Sequence, residues 1–372
     1  MKKIVYMDAA ASWLKPKSVI DAEMDFLTKR YANAGRGICK RTVNVDNMVA
    51  DARACVADFI GAEPQNIVWT SGATDGLNRI VNIITTQPWY RKNSTFAVSD
   101  LDHHSARLPW ENLLRNSKIG QECICDLDDK FNIKIDSIPK TDFLIITAMS
   151  NVFGVPQDVG AIIQAARKKN PDVITIVDAS QYVVHEKIDV KKWGCDFLVF
   201  SGHKIGADTG VGVMYIRDVE KWWPDKFGGG MINKIDEKSN WILNQAPEKF
   251  EAGTLPLTQI CGMPDAIKNL AGWSGGADLI AYMYDELSKV DKIKIITPGD
   301  ACMLSFYIDG MHVLDFGALI GTMDICLRVG NMCASWVHKK LGIDGSIRLS
   351  VGPWNTMDDA KYVIESIRKV VK

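Results

Sequence analysis

Asp196-Phe-Leu-Val-Phe-Ser-Gly-His-Lys204 is an apolar run that ends in a short polar turn and a lysine. The run predicts a buried strand that delivers Lys204 to a loop edged by Ser201, Gly202 and His203. A partly desolvated lysine loses its proton readily and becomes a nucleophile toward carbonyl groups, as Schiff-base formation requires. A lone lysine in this position is also consistent with a surface residue after an edge strand. The motifs around it therefore decide its interpretation.

A second predicted strand, Asp172-Val-Ile-Thr-Ile-Val-Asp178, is rich in β-branched residues and ends in a carboxylate, with Gln181 shortly after it. Ligands of open α/β sheets bind outside the carboxyl ends of the strands, so we expect Asp178 and Lys204 to emerge on the same side. Pyridoxal phosphate (PLP) needs such a pair, because an amine bonds its aldehyde and a carboxylate keeps its ring nitrogen protonated. An aspartate that only caps a turn is the alternative for Asp178.

A third segment, Asn66-Ile-Val-Trp-Thr-Ser-Gly-Ala-Thr-Asp-Gly76, runs from a predicted strand through a glycine-rich turn into a predicted helix. The free backbone N–H groups of a helix N-terminus bind phosphate, Gly72 permits close approach, and Thr74 adds a hydroxyl. Many helices begin in this way, so the motif is weak by itself. Together with Asp178 and Lys204, it completes a predicted PLP site.

These motifs resemble the class V aminotransferase family of fold-type I PLP enzymes, and within it the Suf-like cysteine desulfurases and selenocysteine lyases. The resemblance spans nearly the whole chain, through Tyr6-Met-Asp8-Ala-Ala, Arg36-Gly-Ile, Thr74-Asp-Gly-Leu-Asn78, Asp102-His103-His104-Ser-Ala-Arg-Leu-Pro-Trp110, Ser150-Asn151-Val-Phe-Gly154, Asp178-Ala-Ser-Gln181, Ser201-Gly-His-Lys204, Gly228-Gly-Gly230, Phe250-Glu-Ala-Gly-Thr254, Arg328-Val-Gly-Asn-Met-Cys333 and Arg348. It implies an α/β fold in which helices sandwich a mainly parallel sheet. We assign residues 13–260 to this large PLP-binding domain, and 261–372 with 1–12 to a smaller C-terminal α+β domain.

The resemblance also implies roles for individual residues around the cofactor. His103 would stack on the PLP ring and relay protons, and an imidazole suits acid–base work near neutrality. A histidine satisfied by backbone at a helix entry is the alternative. The implied cofactor-binding residues are Ala73, Thr74, His103, Asn151, Asp178, Gln181, Ser201, His203, Lys204 and, from the neighbouring protomer of a homodimer, Thr254.

Cys333 occupies the position of the family's nucleophile. There, a thiolate attacks the sulfur or selenium of a PLP-bound amino acid, keeps it as a persulfide and releases alanine. The alternative is that Cys333 is a small, inert residue. Arg348 is the implied anchor of the substrate carboxylate, because a guanidinium fork matches a carboxylate; an ion pair with a surface acid is the alternative. Asn151 and Arg328 complete the implied substrate-binding set, and Lys204, Cys333 and His103 are the implied catalytic residues.

The sequence departs from the family pattern near the implied substrate. Cys39 stands where related enzymes usually carry histidine, Lys249 replaces an arginine, and Asn331-Met332 precede Cys333 where histidines or other polar residues are frequent. The motifs of the PLP end are intact. The preferred substrate therefore stays open between cysteine, selenocysteine and cysteine sulfinate.

Composition argues against several function classes. A formal net charge of −1 over 372 residues, without a basic block interleaved with aromatics, argues against direct nucleic-acid binding. No stretch approaches the roughly 20 apolar residues that span a bilayer, and the N-terminus lacks a cleavable apolar region, so we expect a cytoplasmic protein without membrane contact. The nine cysteines are odd in number and scattered, and none forms a Cys-x-x-Cys pair. We therefore expect no disulfide framework and no structural metal site.

Strand and helix signals alternate from about residue 66 to 216, as a doubly wound sheet requires. The clearest βαβ unit comprises a strand at Phe143–Thr147, a helix over 158–169 and a strand at 173–177. The remaining predicted elements are helices over Lys17–Tyr31, Asn47–Ile60 and Ala334–Leu341, strands at Lys294–Thr297 and Met303–Tyr307, and a closing helix begun by a capping box at Thr356. The stretch 217–244 predicts a loop-rich segment at the active-site mouth, with Trp222 and Trp223 as exposed side chains or dimer contacts.

The leading hypothesis is a homodimeric PLP-dependent cysteine desulfurase. It would convert L-cysteine to L-alanine and pass sulfur from Cys333 to an acceptor protein for iron–sulfur assembly or for thiolation of tRNA or a cofactor. A selenocysteine lyase, a cysteine sulfinate desulfinase, or another class V lyase, aminotransferase or epimerase is the alternative enzyme. A degenerate partner subunit is the non-enzymatic alternative.

Overall fold

The computed structural model describes residues 4–35, 37–273 and 275–372, so the quoted Arg36 lies outside the described residues. The helices are α1 Lys17–Asp25, α2 Lys40–Ile60, α3 Ala73–Thr85, α4 His104–Arg115, α5 Val159–Lys169, α6 Tyr182–His185, α7 Val190–Trp193, α8 Leu257–Leu270, α9 Ala277–Ser288, α10 Val313–Gly321, α11 Ser335–Leu341 and α12 Met357–Val371. The strands are β1 Val5–Tyr6, β2 Ile67–Thr70, β3 Thr95–Ser99, β4 Gln121–Cys125, β5 Phe143–Thr147, β6 Ile174–Asp178, β7 Phe197–Ser201, β8 Gly212–Ile216, β9 Ile232–Ile235, β10 Trp241–Leu243, β11 Ile293–Ile295, β12 Leu304–Ile308, β13 Ile325–Cys326, β14 Arg328–Gly330 and β15 Ser346–Leu349.

A seven-stranded sheet in the order β2-β8-β7-β6-β5-β3-β4 forms the centre of the molecule. Strands β7, β6, β5, β3 and β4 run parallel, and β8 is antiparallel to both of its neighbours. Thr147 of β5 pairs with Asp178 of β6, which pairs with Val199 of β7. The carboxyl ends of these strands therefore lie at one edge of the sheet, as expected for a ligand-binding edge.

Helices cover both faces of this sheet. Residues that alternate along each strand pack into two separate cores, because successive side chains of a strand point to opposite faces. Val177 and Leu198 join the core under α2, α5 and α8, whereas Ile176 and Val199 join the core under α3 and α4. The predicted fold class, a mainly parallel sheet sandwiched by helices, is confirmed.

A smaller antiparallel sheet in the order β11-β12-β15-β14 packs against α9, α10 and α12 around a third core. The N-terminal segment reaches this body, because β1 pairs in parallel with β13 and Asp8 bridges to Ser350. The predicted division between residues 260 and 261 falls inside α8, which packs on α1 and α2. The exact domain boundary stays a prediction.

Most of the elements predicted from local patterns lie where expected. The βαβ unit is present as β5, α5 and β6, and Thr356 and Asp359 form the predicted capping box at the start of α12. The expected start of a helix at Asn47 is wrong, since α2 begins at Lys40. The side chains of its first turn are mostly exposed, so the sequence shows no apolar periodicity there that would predict a helix. Within the described residues, no helix combines the length and the apolar character that a membrane crossing needs.

The segment expected to be loop-rich contains a β-hairpin. Strands β9 and β10 pair antiparallel within it. Trp222 is buried at 5% exposure and packs against Phe197, so its predicted exposure is wrong, whereas Trp223 is exposed. The apolar face of β7 accounts for the burial of Trp222, and the local sequence does not reveal that contact.

Candidate active site

A cavity of about 300 Å³ opens at the carboxyl edge of the large sheet, between that sheet and β14 and β15. Its lining residues are Ala10, Ala11, Ala73, Thr74, His103, Ser105, Thr147, Met149, Asn151, Asp178, Ser180, Gln181, Ser201, His203, Lys204, Arg328, Met332, Cys333 and Arg348. The fold thus brings every predicted site residue except Thr254 to one cavity. Thr254 is exposed and lies elsewhere on the chain. No described residue of the stretch 217–244, expected at the active-site mouth, lines the cavity of the single chain.

Lys204 lies on a short turn directly after β7. Its Nζ donates hydrogen bonds to the backbone oxygens of Ala10 at 2.7 Å and Ala11 at 3.1 Å. Burial, together with the positive charge of Arg348, lowers the pKa of the Lys204 amine to about 8 from its ordinary 10.5. Desolvation favours the neutral form of an amine, and the neutral amine is the nucleophile. Lys204 is therefore prepared for reaction with a carbonyl group.

Asp178 ends β6 and is buried at 5% exposure. Its Oδ1 accepts hydrogen bonds from the backbone N–H of Ser180 at 3.0 Å and from the Ser180 hydroxyl at 2.6 Å. These bonds fix a carboxylate against the floor of the cavity. Gln181 donates through Nε2 to the backbone oxygen of Ala10 at 2.7 Å, so it shares an acceptor with Lys204.

His103 is the N-cap of α4, and its Nδ1 accepts a hydrogen bond from the backbone N–H of Ser105 at 3.1 Å. The accepting role of Nδ1 assigns the proton of the neutral ring to Nε2. Burial lowers the pKa of His103, with Lys204 and His104 adding to the effect and Asp178 opposing it. At neutral pH the imidazole is therefore uncharged and presents one donor.

The predicted phosphate end lies at the N-terminus of α3. The backbone N–H of Ala73 donates to Ser201 Oγ at 2.8 Å, and the Thr74 and Ser105 hydroxyls lie 2.7 Å apart. Gly72 has a φ of +151°, and a Cβ atom on Gly212 would come within 2.5 Å of the Gly72 Cα. This helix start can approach the sheet only because both positions are glycine. Nearby, burial lowers the pKa of His203 to about 4.

Arg348 lies on β15, is 2% exposed, and faces the cavity from the side opposite the large sheet. Its Nη1 donates to the backbone oxygen of Asn151 at 2.7 Å, and its Nη2 donates to Asp8 Oδ1 at 3.0 Å. Arg328 Nη2 donates to the other oxygen of Asp8 at 2.6 Å. Two guanidinium groups thus share one carboxylate at this end.

Cys333 is exposed at the cavity mouth, in the loop between β14 and α11. Cys333 and the preceding Met332 both have left-handed backbone, with φ of +57° and +52°. Such dihedrals cost energy in residues other than glycine and require support from the surroundings. The support comes from two hydrogen bonds to backbone oxygens of the loop. Asn151 Nδ2 donates to the oxygen of Met332 at 2.7 Å, and the backbone N–H of His104 donates to the oxygen of Cys333 at 2.8 Å.

The residues of this cavity fit PLP. Two buried polar atoms of residues that line it, Asn151 Oδ1 and Arg348 Nε, have no hydrogen-bond partner within the described chain. Buried polar atoms in native proteins are normally paired, so two unpaired atoms here are in keeping with a site that a ligand completes. The amine of Lys204, the carboxylate of Asp178 and the N-terminus of α3 match the aldehyde, ring nitrogen and phosphate of this cofactor.

Sequence reasoning gave no role to several residues that the fold brings to the site. They are Asp8, Ala10, Ala11, Ser105, Thr147, Met149, Ser180 and Met332. Ser105 follows His103 by two positions, and Ser180 follows Asp178 by two, so side chains that cap a turn were a usable signal. The contacts of Asp8 join residues at opposite ends of the chain, and no local pattern reveals them.

A mainly parallel α/β sheet with a lysine and an aspartate at its carboxyl edge defines the class of fold-type I PLP enzymes. The model of the family described as Aminotransferase class-V matches residues 5–363, and this chain belongs to that family, whose members depend on PLP. A probable cysteine desulfurase of Borreliella burgdorferi is 33% identical over 100% of this chain and 92% of the relative.

Two solved structures have closely similar folds. The apo structure of a cysteine desulfurase from Thermococcus onnurineus NA1 has 28% sequence identity and a TM-score of 0.93, covering 99% of this chain and 94% of that chain. The cysteine desulfurase CsdA of Escherichia coli, in an S-sulfonic acid form, has 27% identity and a TM-score of 0.90 with the same coverage. The similarity therefore includes both sheets.

Proposed function

We propose that this chain is a PLP-dependent cysteine desulfurase, which converts L-cysteine to L-alanine and takes the sulfur onto Cys333. The observation that carries the proposal is the combination of groups around one cavity. The reactive amine of Lys204 and the carboxylate of Asp178 face the guanidinium of Arg348, and the thiol of Cys333 lies at the mouth. Proteins that are named cysteine desulfurase and match nearly the whole length of this chain support the proposal.

The chain's own residues divide the work of the proposed reaction. When bound, PLP supplies a protonated ring that withdraws electrons from the Cα of an amino acid. Asp178, Lys204 and the start of α3 would hold it. Lys204, with its pKa lowered to about 8, removes a proton at Cα and returns one later. Arg348 orients the substrate through its carboxylate, because a fixed guanidinium fork matches that group.

The sulfur-transfer step belongs to Cys333. Its thiolate attacks the substrate sulfur, so a bond between the two sulfurs forms while the substrate's Cβ–S bond breaks. The electron pair of the broken bond stays with the carbon skeleton, which takes a proton and leaves as L-alanine. The exposure of Cys333 supports delivery of the resulting persulfide to a second protein.

The test measures alanine and sulfide formed from L-cysteine by the purified, PLP-loaded protein in the presence of a thiol reductant, which releases the persulfide sulfur as sulfide, with selenocysteine and cysteine sulfinate as competing substrates. We expect Cys333→Ala to lower alanine release from cysteine by about a hundredfold or more, because the nucleophile is removed. Cys302→Ala, at a half-buried cysteine outside the cavity lining, serves as the matched control and retains the activity. Full cysteine turnover by Cys333→Ala would reject the persulfide role.

A homodimer is part of the proposal. Exposed apolar side chains follow one another between residues 14 and 43: Leu14, Ile20, Met24, Leu27, Tyr31, Ile38 and Val43. Exposed apolar side chains concentrated in one segment favour association. Thr254, exposed and away from its own chain's cavity, would reach the phosphate of the partner's cofactor. Light scattering measures the mass of the protein in solution and so tests the dimer. Thr254→Ala should weaken PLP binding only in the dimer.

We further propose that the protein acts in the cytoplasm and supplies sulfur for iron–sulfur cluster assembly or related thiolation. The nine cysteines are all free, which is typical of a reducing compartment. Transfer of ³⁵S from labelled cysteine to a purified scaffold protein tests the acceptor directly. Label that remains on Cys333 in the presence of the scaffold would reject that acceptor.

A further inference from the structure

Asp8 lies in the N-terminal segment that crosses between the two sheets, and it is buried at 6% exposure. Its Oδ1 accepts from Arg348 Nη2 at 3.0 Å and its Oδ2 accepts from Arg328 Nη2 at 2.6 Å. Arg348 is the proposed anchor of the substrate carboxylate, and Arg328 begins the strand that leads to Cys333. One carboxylate therefore links the substrate anchor to the nucleophile loop.

The charges at this end support a specific role for Asp8. Arg348 is almost completely buried, and a buried guanidinium without a partner is costly, so its position depends on Asp8. Asp8 and the backbone oxygen of Asn151 engage its two Nη atoms, whereas Nε is buried and has no partner among the described residues. Two guanidinium groups and one carboxylate leave a single net positive charge, which matches one substrate carboxylate.

The same segment also fixes the amine end of the site. The Asp8 backbone bridges to Ser350, and the backbone N–H of Ala10 donates to Ser350 Oγ at 2.9 Å. The backbone oxygen of Ala10 then accepts from Lys204 Nζ at 2.7 Å. A few residues thus set the distance between the anchor of the carboxylate and the amine that reacts beside it.

We infer that Asp8 is a positioning residue for carboxylate recognition, holding Arg348 in the orientation that binds the substrate and coupling it through Arg328 to the Cys333 loop. This inference rests on the proposed function insofar as Arg348 binds the carboxylate of an amino acid. Asp8 acts through the two arginines and takes no part in proton transfer. Its removal should therefore affect ligands that carry a carboxylate and spare amines that lack one.

The first experiment compares binding of L-alanine and ethylamine to the PLP-loaded protein, followed by the visible absorption of the cofactor. In Asp8→Asn we expect the dissociation constant of L-alanine to rise about tenfold, the loss typical of one charged hydrogen bond. Ethylamine should bind as in the wild type. The KM for L-cysteine should rise by the same factor, with a smaller change in kcat.

Asp225→Asn is the matched control, since Asp225 forms a buried ion pair with Arg79 at 3.0 Å outside the cavity lining. It should leave the preference for L-alanine over ethylamine unchanged. If Asp8→Asn weakens both ligands equally, or tightens L-alanine, the inference is overturned. Should Asp8→Asn not fold, Asp8→Glu keeps the buried charge but displaces both guanidinium groups, and the same selective loss is expected.

The second experiment uses the cofactor-free protein. The alkylation rate of Cys333 by iodoacetamide should rise in Asp8→Asn, because the loop after Arg328 loses its tie to Asp8, and should stay unchanged in Asp225→Asn. An unchanged rate in Asp8→Asn would refute the coupling. If the protein fails to release sulfur from cysteine but Asp8→Asn still weakens L-alanine binding while sparing ethylamine, the proposed function falls and the role of Asp8 stands.

Discussion

The two ends of the cavity are built in different ways. At the cofactor end, Lys204 and Asp178 come directly from central strands of the large sheet, and both are held by short hydrogen bonds. At the nucleophile end, Cys333 lies on an exposed loop beside the small sheet, with two successive residues in left-handed backbone. The large sheet positions the cofactor end directly, whereas the loop at the nucleophile end depends on contacts from residues outside the small sheet.

This difference suggests a division between chemistry and delivery. A covalently held cofactor needs fixed geometry, and groups on rigid strands supply it. A cysteine that receives sulfur from the substrate and passes it to a second protein must be reachable from both sides, and a loop at the cavity mouth provides that access. Through its contacts with both arginines, Asp8 holds the nucleophile end in a fixed position relative to the cofactor end.

The largest expected effect comes from removing the reactive amine. Lys204→Ala should lower alanine formation by about ten-thousandfold or more, because in the proposed reaction one residue both anchors the cofactor and moves the proton. Borohydride reduction and peptide mapping should label Lys204 in the wild type and in Cys333→Ala, but not in Lys204→Ala. Labelling of another lysine would show that Lys204 is not the residue that bonds the cofactor at this end of the cavity.

Close packing at the cofactor end should make it intolerant of a single added methyl group. A Cβ on Gly212 would meet the Gly72 backbone at 2.5 Å, so Gly212→Ala should destabilise the protein by about 3 kcal/mol and weaken PLP binding. Gly321→Ala, where an added Cβ would meet no packed neighbour within 4 Å, is the control beside the small sheet. Urea unfolding and PLP titration measure both effects. Equal stability of the two variants would contradict the rigid arrangement.

The pKa of Lys204 makes cofactor incorporation depend on pH. Because burial lowers this pKa to about 8, the neutral amine becomes the major form only above that pH. The rate at which cofactor-free protein takes up PLP covalently should therefore rise on the order of fiftyfold between pH 6 and pH 8, and then level off. Stopped-flow absorbance measures the rate. Continued growth of the rate toward pH 10 would mean that the amine is not desolvated.

The sequence was sufficient to predict the cofactor end and much less of the rest. Asp178 and Lys204 follow buried strands whose apolar runs are legible, and parallel strands must end at the same edge. The pairing of Asp8 with Arg348 joins positions 340 residues apart, and the left-handed backbone at Cys333 depends on contacts from Asn151 and His104. Such features arise from tertiary packing, which local propensity does not encode.

The burial of Asp102 also depends on the folded environment, because the motif that contains Asp102 and His103 does not show which residues pack around it. It is fully buried beneath the cavity, where Oδ1 accepts from Thr147 Oγ1 at 2.6 Å and Oδ2 accepts from the Ser99 N–H at 2.7 Å. These bonds tie the loop that carries His103 to the end of β5. Burial raises the pKa of Asp102 to about 7 from its ordinary 3.8.

The raised pKa predicts the smallest of these effects, a pH-dependent contribution to stability. Since the native state holds this proton up to about pH 7 and the unfolded chain releases it near pH 4, stability is greatest at low pH and declines as pH rises between these values. From pH 5 to pH 7 the wild type should lose about 2 kcal/mol relative to Asp102→Asn, measured by urea unfolding of cofactor-free protein.

Asp236→Asn serves as the control for that measurement, since hydrogen bonds from Asn240 hold the pKa of the exposed Asp236 below its usual value. The wild type should not lose stability relative to this variant as pH rises. A constant difference between wild type and Asp102→Asn across the same range would show that Asp102 is ionised in the native state. The cofactor end would then hold a buried negative charge beneath His103, instead of a neutral carboxylic acid.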